Sequence, residues 1–218
     1  MASVQFGKRL VINGHRHYWC GKAYYPSVTA VLSATRTARD NSVMKRWRDK
    51  VGHEEANRIS KEATTRGTKI HALAEKYLLA LEPEDTSGLE PHELPFWLSL
   101  KPALAKIGHI WTEKFLYHDG LRYAGTADCY GMVNGKRTII DFKTASKPKQ
   151  ESWIKDYQLQ IAAYGGAAWE RNRHPIEQGL ILIALSGQPA QQFLYTKDDL
   201  LGFWCDWKGR VDQFYGNF

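Results

Sequence analysis

The chain has 218 residues, 43% of them hydrophobic, which suits one domain with a single sizeable core. Its net charge of +7 and its pI of about 9.2 suit a polyanionic partner. No apolar run reaches the roughly 18 residues of a membrane span. The three cysteines are too widely spaced for a disulfide framework or a zinc site.

The first predicted elements are a small hairpin and a series of helices. The dipeptide Asn13-Gly14 predicts a hairpin near the start of the chain, because both central residues of its turn need a positive φ. Helical patterns follow. We therefore expect a β-hairpin region over residues 1–25 and a mainly helical region over residues 26–108.

Strands dominate the rest of the chain. Strands are expected at 109–117, 179–185 and 191–195, a hairpin at 125–143, and helices at 151–171 and 197–214. Helices before and after a mixed sheet predict an α/β layer fold. We expect one domain over residues 1–218, with the α/β core in residues 109–218.

The hairpin at 125–143 is the most informative segment. Its Asn134-Gly135 turn favours a two-residue loop, and counting outward from that loop sets Asp128 opposite Asp141. Directly opposed Cβ atoms lie roughly 4.5 to 5.5 Å apart, so one divalent cation could contact both carboxylates. The period of two places Lys143 on the same face as Asp141.

A solvated hairpin with an accidental acidic pair is the alternative. Against it, the apolar residues around Asp141 are typical of a buried central strand, where an unpaired carboxylate is costly. These residues are Tyr130, Ile139, Ile140 and Phe142. Carboxylate oxygens are hard ligands, so the expected ion is magnesium or manganese.

Four parts of the sequence together resemble a known group of nucleases. They are Pro26–Leu32, Arg66–His71, Gly125–Asp128 with Ile140–Thr144, and Tyr157–Tyr164. In this order they resemble the PD-(D/E)xK nuclease superfamily, in its RecB-type branch, nearest to the mitochondrial genome maintenance exonuclease family. Each segment is weak evidence by itself, but the four together are specific. The resemblance implies a restriction-endonuclease-like core, with a mixed central sheet flanked by helices and an N-terminal helical region.

The resemblance also implies a set of site residues. The catalytic residues would be Asp128, Asp141 and Lys143, where Lys143 acts on the attacking water and does not bind metal. The metal ligands would be Asp128, Asp141, the backbone carbonyl of Phe142, His71 and Glu113. The alternatives are an ordinary half-exposed histidine for His71 and a solvated partner of Lys114 for Glu113.

Contacts with DNA are expected from basic and aromatic side chains, which neutralise phosphates and stack on unpaired bases. The resemblance adds polar residues from the four segments that resemble the family. The expected DNA-binding residues are Ser27, Thr29, Arg46, Trp47, Arg66, Lys69, Gln158 and Tyr164. For Gln158 and Tyr164, a capping glutamine and a core tyrosine are the alternatives.

Three functions are compatible with these residues. The first is a metal-dependent DNA exonuclease of repair or recombination that prefers single-stranded DNA with a free end. The second is a structure-specific or restriction-type endonuclease on the same fold, and the third is a nuclease-like DNA-binding module without catalysis. The sparse cysteines predict no iron-sulfur cluster. The polar start of the chain lacks a signal peptide, so we expect no membrane association and a cytoplasmic protein of bacterial or viral type.

Overall fold

A computed structural model describes residues 5–80, 85–172 and 175–216, without the side chains of residues 111–113 and 172. Its strands are β1 (Arg9–Ile12), β2 (His15–Trp19), β3 (Tyr24–Pro26), β4 (Gly108–His118), β5 (Tyr123–Val133), β6 (Lys136–Ala145), β7 (Gln178–Leu185) and β8 (Gln188–Thr196). Its helices are α1 (Val28–Ala34), α2 (Ala38–Val51), α3 (His53–Leu79), α4 (Leu94–Leu104), α5 (Lys155–Asn172) and α6 (Lys197–Gly216), with a short 3-10 helix at Glu151–Trp153.

The central sheet has five strands in the order β4-β5-β6-β7-β8. All neighbours are antiparallel except β6 and β7, which run parallel and are joined by the crossover helix α5. Helices cover this sheet on both sides, so the predicted α/β class with a mixed central sheet is confirmed.

Side-chain alternation along the buried strands separates two apolar cores. Ile139 packs with residues of α1, α5 and α6, whereas its neighbour Ile140 packs with residues of α3 and α4. β7 is buried along its whole length and alternates in the same way. The catalytic candidates on β6 thus lie on a rigid central strand between the two cores.

A second, smaller sheet precedes the helices. The sequence predicts a two-stranded hairpin here, and the Asn13-Gly14 turn does join β1 to β2, both residues having a positive φ. The structure adds β3, which the sequence analysis missed. β3 pairs with β2 through Tyr18 and Tyr25, which form a small apolar core against Ala124 of β5. Burial of two tyrosines therefore stabilises a third strand of only three residues.

The long helix α3 and the shorter α2 stand at one side of the sheet. α2 has no buried residue and packs mainly against α3. α3 buries a stripe that includes Ile70 and Ala74 against α4 and the sheet. No helix within the described residues is both long enough and apolar enough to cross a membrane.

Candidate active site

The strands β5 and β6 part beside the candidate site. They pair from their turn outward as far as Cys129 and Ile140, in the register that the sequence predicts. At the next step the direct pairing expected for Asp128 and Asp141 is replaced, because Oδ2 of Asp128 accepts a hydrogen bond from the backbone N–H of Phe142 at 2.8 Å. A carboxylate thus takes the place of a strand carbonyl. Both aspartates lie where the two strands separate.

Asp141 is a buried carboxylate that hydrogen bonds satisfy only in part. Its side chain is 1% exposed, and Oδ1 accepts no hydrogen bond from the described part of the chain. The ammonium of Lys143 lies beside Oδ2 as an ion pair. Burial raises the pKa of Asp141 to about 6, although the charge of Lys143 lowers it. Buried oxygens without donors are an expected sign of an ion or water site.

Asp128 is paired with the histidine of α3. Nδ1 of His71 lies 3.3 Å from Oδ1 of Asp128. Burial opposes charge on both groups, but their mutual attraction outweighs it: the pKa of His71 is raised and that of Asp128 is lowered. The His71 ring also packs edge-on against Phe142, at 6.0 Å between centroids. α3 thus presents an imidazole to the carboxylate, as the family resemblance implies.

Lys143 is held from two sides. Its ammonium pairs with Asp141 and lies 4.9 Å from the centroid of the Tyr157 ring. Burial alone would lower the pKa of Lys143, yet the charges of Asp141 and Asp128 raise it overall. The sequence analysis included Tyr157 in the segment Tyr157–Tyr164 but gave it no role. Its position at the start of that segment, directly before Gln158, could have marked it as a site residue.

Tyr164 closes the core next to β5. A Cβ added to Gly125 would lie 2.8 Å from Cε1 and 2.9 Å from Oη of Tyr164, so the tyrosine packs directly on the glycine backbone. Burial raises the pKa of Tyr164 well above its usual value, and the charges of Asp128 and Asp141 raise it further. Tyr164 is buried, so the expected DNA contact does not agree with its position.

Gln158 is also part of the core. Its side chain is buried, and its amide donates a hydrogen bond to the hydroxyl of Tyr195 at 3.0 Å. This burial does not support a DNA contact by Gln158, because its side chain is enclosed and one of its amide donors is already used inside the protein. The alternative of a structural glutamine fits better, although its partner is a side chain of β8 and not a helix end.

The expected metal-ligand set is only partly assembled. The described residues contain no group of three or more His, Cys, Asp or Glu side chains placed to hold a metal ion. In this arrangement His71 is paired with Asp128, and Lys143 is paired with Asp141. Glu113 belongs to β4, but its side chain lies outside the described residues.

Two basic residues of α3 behave differently although they lie three positions apart. Arg66 lies over the ring of Phe96 at 4.3 Å, and its Nε donates to Oγ1 of Thr144 at 3.3 Å. It therefore reaches the residue next to Lys143 and stays half-buried. Lys69 instead pairs with the carboxylate of Glu93 at 2.7 Å, and this carboxylate is buried.

The pairing of Lys69 corrects its expected role. Glu93 also accepts a hydrogen bond from the backbone N–H of Glu90 at 2.9 Å. Burial would raise the pKa of Glu93, but the bond from Lys69 and this backbone bond lower it. The charge of Lys69 is thus already matched inside the protein, which does not support a primary role in phosphate binding.

The remaining DNA-binding candidates are divided between buried and exposed positions. Ser27 is buried, and its hydroxyl caps α1 by accepting a hydrogen bond from the N–H of Ala30 at 3.0 Å. This position does not support its expected DNA contact. Thr29 and Arg46 are exposed, and Trp47 is half-buried on α2. These three are free to meet a ligand from outside.

Comparison with known proteins gives three curated relatives. Mitochondrial genome maintenance exonuclease 1 of Xenopus tropicalis is 32% identical over 206 residues. The proteins of the same name from Mus musculus and Homo sapiens are 26% and 28% identical over 201 and 203 residues. Each match covers 87% of this chain. The chain spans 57 to 58% of the length of these relatives.

Comparisons with protein-family models and with solved structures do not bear on the family or the function of this chain. No family model matches the chain. The solved structure described as the crystal structure of SSO0001 is 18% identical and covers 56% of this chain and 57% of its own, with a TM-score of 0.36, which is too low to support a conclusion.

The names of the relatives correct one expectation. All three are mitochondrial proteins by name and come from animals, which contradicts the expected cytoplasmic protein of bacterial or viral type. The α/β fold agrees with the nuclease fold that the sequence motifs imply. The resemblance of this chain to the mitochondrial genome maintenance exonuclease family is thereby confirmed.

Proposed function

We propose that this chain is a metal-dependent DNA exonuclease that acts on single-stranded DNA with a free end. The observation that carries the proposal is the pair Asp128 and Asp141 beside Lys143 where β5 and β6 part. The three curated relatives, which are named exonucleases, support the same reaction class. The proposal covers the chemistry, the ion and the strand preference.

The donor set fits magnesium or manganese. Oδ1 of the buried Asp141 lacks a hydrogen-bond donor among the described residues, Oδ2 is paired with Lys143, and Oδ1 of Asp128 is paired with His71. Asp128, Asp141 and the backbone carbonyl of Phe142 would supply oxygen ligands, and His71 and Glu113 would complete the shell. Hard oxygen ligands suit both ions, and one imidazole favours manganese. When bound, the ion supplies Lewis acidity toward the phosphate and an acidified water.

Lys143 would act on the attacking water. Its ammonium is a strong donor fixed between Asp141 and the ring of Tyr157, so it would reach a water beside the carboxylates without a change of backbone. Once that water moves toward phosphorus, the positive charge would stabilise the charge that develops on the phosphate oxygens. Tyr157 would limit the directions that the ammonium can take.

Arg66 would place the DNA strand. Its guanidinium contacts Thr144 directly after Lys143, so a phosphate bound by Arg66 would lie next to the carboxylates. Stacking on Phe96 fixes the planar guanidinium of Arg66 without using its hydrogen-bond donors. On α2, the exposed Arg46 and the half-buried Trp47 would bind the strand farther out by charge and by stacking.

A free end is expected because the strand must pass beneath the helices. α3 packs on the sheet beside the site, and α2 extends from α3 with all its residues at least partly exposed. The basic residues of these helices, and of the segment that leads into α2, would line a covered path over the carboxylates. They are Arg36, Arg39, Lys45, Arg46, Arg48 and Arg66. An end enters such a path more readily than a closed circle does.

The test compares linear and circular single-stranded DNA of the same sequence, with magnesium. We expect the linear strand to be shortened to small products while the circle and blunt duplex persist. Asp141→Asn is the control for contaminating nucleases, because it removes the charge and keeps the shape. Rapid nicking of the circle would replace this proposal by the endonuclease. Binding without cleavage of either form would favour the non-catalytic module.

A further inference from the structure

The positive charge of this chain is concentrated in one part of it. Residues 1–39 contain six Lys and Arg residues and no Asp or Glu. The remaining 179 residues contain 24 Lys and Arg and 23 Asp and Glu, so they are nearly neutral. Six of the seven net charges therefore precede Asp40, the first acidic residue. Such asymmetry is typical of a chain that binds a polyanion through one region.

Four of these charges lie on the three-stranded sheet or directly beside its strands: Arg9 and Arg16 in β1 and β2, Lys8 before β1, and Lys22 in the turn between β2 and β3. Lys8, Arg9, Arg16 and Lys22 are all exposed, and none of them forms an ion pair with any described residue. We call these four residues the basic sheet surface. The three strands and their turns contain no Asp or Glu. Exposed cations on such a sheet repel one another unless an anion binds.

The strand register brings two of the four together. Arg9 pairs with Tyr18, and Val11 pairs with Arg16. Residues two apart on one strand share a face, so Arg9 and Arg16 are diagonal neighbours on the face of Tyr18. The guanidinium of Arg9 lies 5.6 Å from the centroid of the Tyr18 ring. The ring limits the motion of this guanidinium and leaves its donors free for an anion.

The sheet is fixed relative to the candidate active site. Ser27 forms a parallel bridge with Ala124 of β5, and the hydroxyl of Tyr25 donates to Asp119 at 2.9 Å. Four residues farther along β5 lies Asp128. At about 3.3 Å per residue this is about 13 Å along the strand. A stacked strand with 3.4 Å per nucleotide covers that distance in about four nucleotides.

We propose that the basic sheet surface binds phosphates of the same single-stranded DNA, about four or more nucleotides from the bond that is cut. This inference rests on the proposed nuclease function and adds a second contact region to it. The surface would contribute affinity that depends on salt, and it would have no part in the chemical step. Exposed Val11 and Leu10 lie on the same hairpin and would contact sugars or bases.

The test uses two variants with equal charge loss. One replaces Lys8, Arg9, Arg16 and Lys22 by alanine. The matched control replaces four exposed lysines elsewhere, Lys106, Lys136, Lys197 and Lys208. Binding to a fluorescein-labelled oligothymidylate of about 20 nucleotides is measured by anisotropy in EDTA, between about 50 and 200 mM salt.

Each phosphate contact that is lost should reduce the slope of log K against log salt by about 0.7. We expect the sheet variant to lose about 2 to 3 from this slope, and the control variant to keep it. A further variant that retains Arg9, and with it the stacking on Tyr18, should lose about three quarters of that amount. This variant separates a lost contact from a disturbed sheet.

Cleavage with magnesium gives a second readout. The sheet variant should show a raised KM on the long strand with kcat unchanged, and wild-type values on a strand of about two nucleotides, which is too short to reach the sheet. This inference would be overturned if the wild type and the sheet variant had equal slopes of log K against log salt. It would also be overturned if the sheet variant and the control variant lost equal amounts of that slope. Neither result would affect the proposed nuclease function. A wild-type protein that binds no DNA would overturn the proposed function as well.

Discussion

The backbone N–H of Phe142 donates to the carboxylate of Asp128 at 2.8 Å, at the position where a strand carbonyl would accept in a continuous ladder. This bond keeps β5 and β6 together while their backbones part. It also fixes one oxygen of Asp128 and leaves the other beside His71. The side chain of Asp128 therefore takes part in the strand ladder, and the same bond fixes the orientation of a proposed metal ligand.

Asp128→Asn should separate these two roles. The asparagine side-chain oxygen can still accept the bond from Phe142, so we expect the fold and the melting temperature to be nearly unchanged. The lost negative charge should reduce cleavage by on the order of 10³-fold or more, as for a direct metal ligand. Circular dichroism and single-turnover cleavage measure the two effects. Cleavage within a few fold of wild type would remove Asp128 from the ligand set.

Lys143→Ala should abolish cleavage by removing a donor and a charge next to the carboxylates, by at least about 10²-fold. Binding of DNA in EDTA should stay close to that of wild type. Lys155→Ala is a matched control, because Lys155 also pairs with an aspartate and lies over an aromatic ring, but it is exposed and away from the site. Near wild-type cleavage by Lys143→Ala in magnesium would show that this lysine has no catalytic role.

His71→Ala should weaken the apparent affinity for magnesium. Manganese should restore part of the activity, because it accepts a nitrogen ligand more readily and binds more tightly to a given site. Thr68→Ala, one turn earlier on α3 and exposed, is the control. The measurement is cleavage as a function of metal concentration for both ions. If the dependence of cleavage on metal concentration were unchanged, His71 would be a structural partner of Asp128 and not a metal ligand.

Gly125→Ala should destabilise the protein through Tyr164. The new Cβ would lie 2.8 Å from the ring, a distance that forces the buried tyrosine or β5 to move. We expect a loss of about 1 to 3 kcal/mol in the free energy of unfolding, as for other overpacked cores. Gly202→Ala in α6 is the opposite control: nothing lies within 4 Å of the added Cβ, and a helical alanine should stabilise by up to about 1 kcal/mol. Equal stability of the two variants would contradict the close packing of Tyr164 on β5.

Local sequence signals were enough for the hairpin register, and they were present for the cap of α1, although the sequence analysis assigned Ser27 to DNA binding instead. The Asn134-Gly135 turn fixes the pairing of its strands because few other dipeptides adopt two positive φ angles. Ser27 directly before an apolar helical run is an N-cap signal, and the structure places its hydroxyl in that role. Both features depend on residues within a few positions of one another.

Contacts between distant segments could not be derived in the same way. Lys69 and Glu93 are separated by 24 positions, and Gln158 and Tyr195 by 37. Nothing in the spacing of either pair indicates that the two meet, so a lysine and a glutamine with internal partners were assigned to DNA. These contacts are a consequence of how α4 and β8 pack, which the sequence pattern does not specify.

Arg66→Ala and Lys69→Ala, on the same helix, should have opposite effects. Lys69→Ala leaves the buried carboxylate of Glu93 without its cation, which should cost about 2 to 4 kcal/mol of stability. Cleavage per folded molecule should be nearly unchanged. Arg66→Ala removes a guanidinium whose donors face Thr144, so it should weaken DNA binding and cleavage by about tenfold or more, with a smaller loss of stability from the contact with Phe96.

Chemical denaturation and DNA anisotropy on both variants test this contrast. The double variant Lys69→Met with Glu93→Gln should recover most of the stability, because it removes both charges of the pair together. Recovery would show that the cost in Lys69→Ala comes from the stranded carboxylate and not from lost packing. If Lys69→Ala weakened DNA binding as much as Arg66→Ala while the fold stayed stable, Lys69 would belong to the DNA contacts after all, and its ion pair with Glu93 would be a feature of the DNA-free protein.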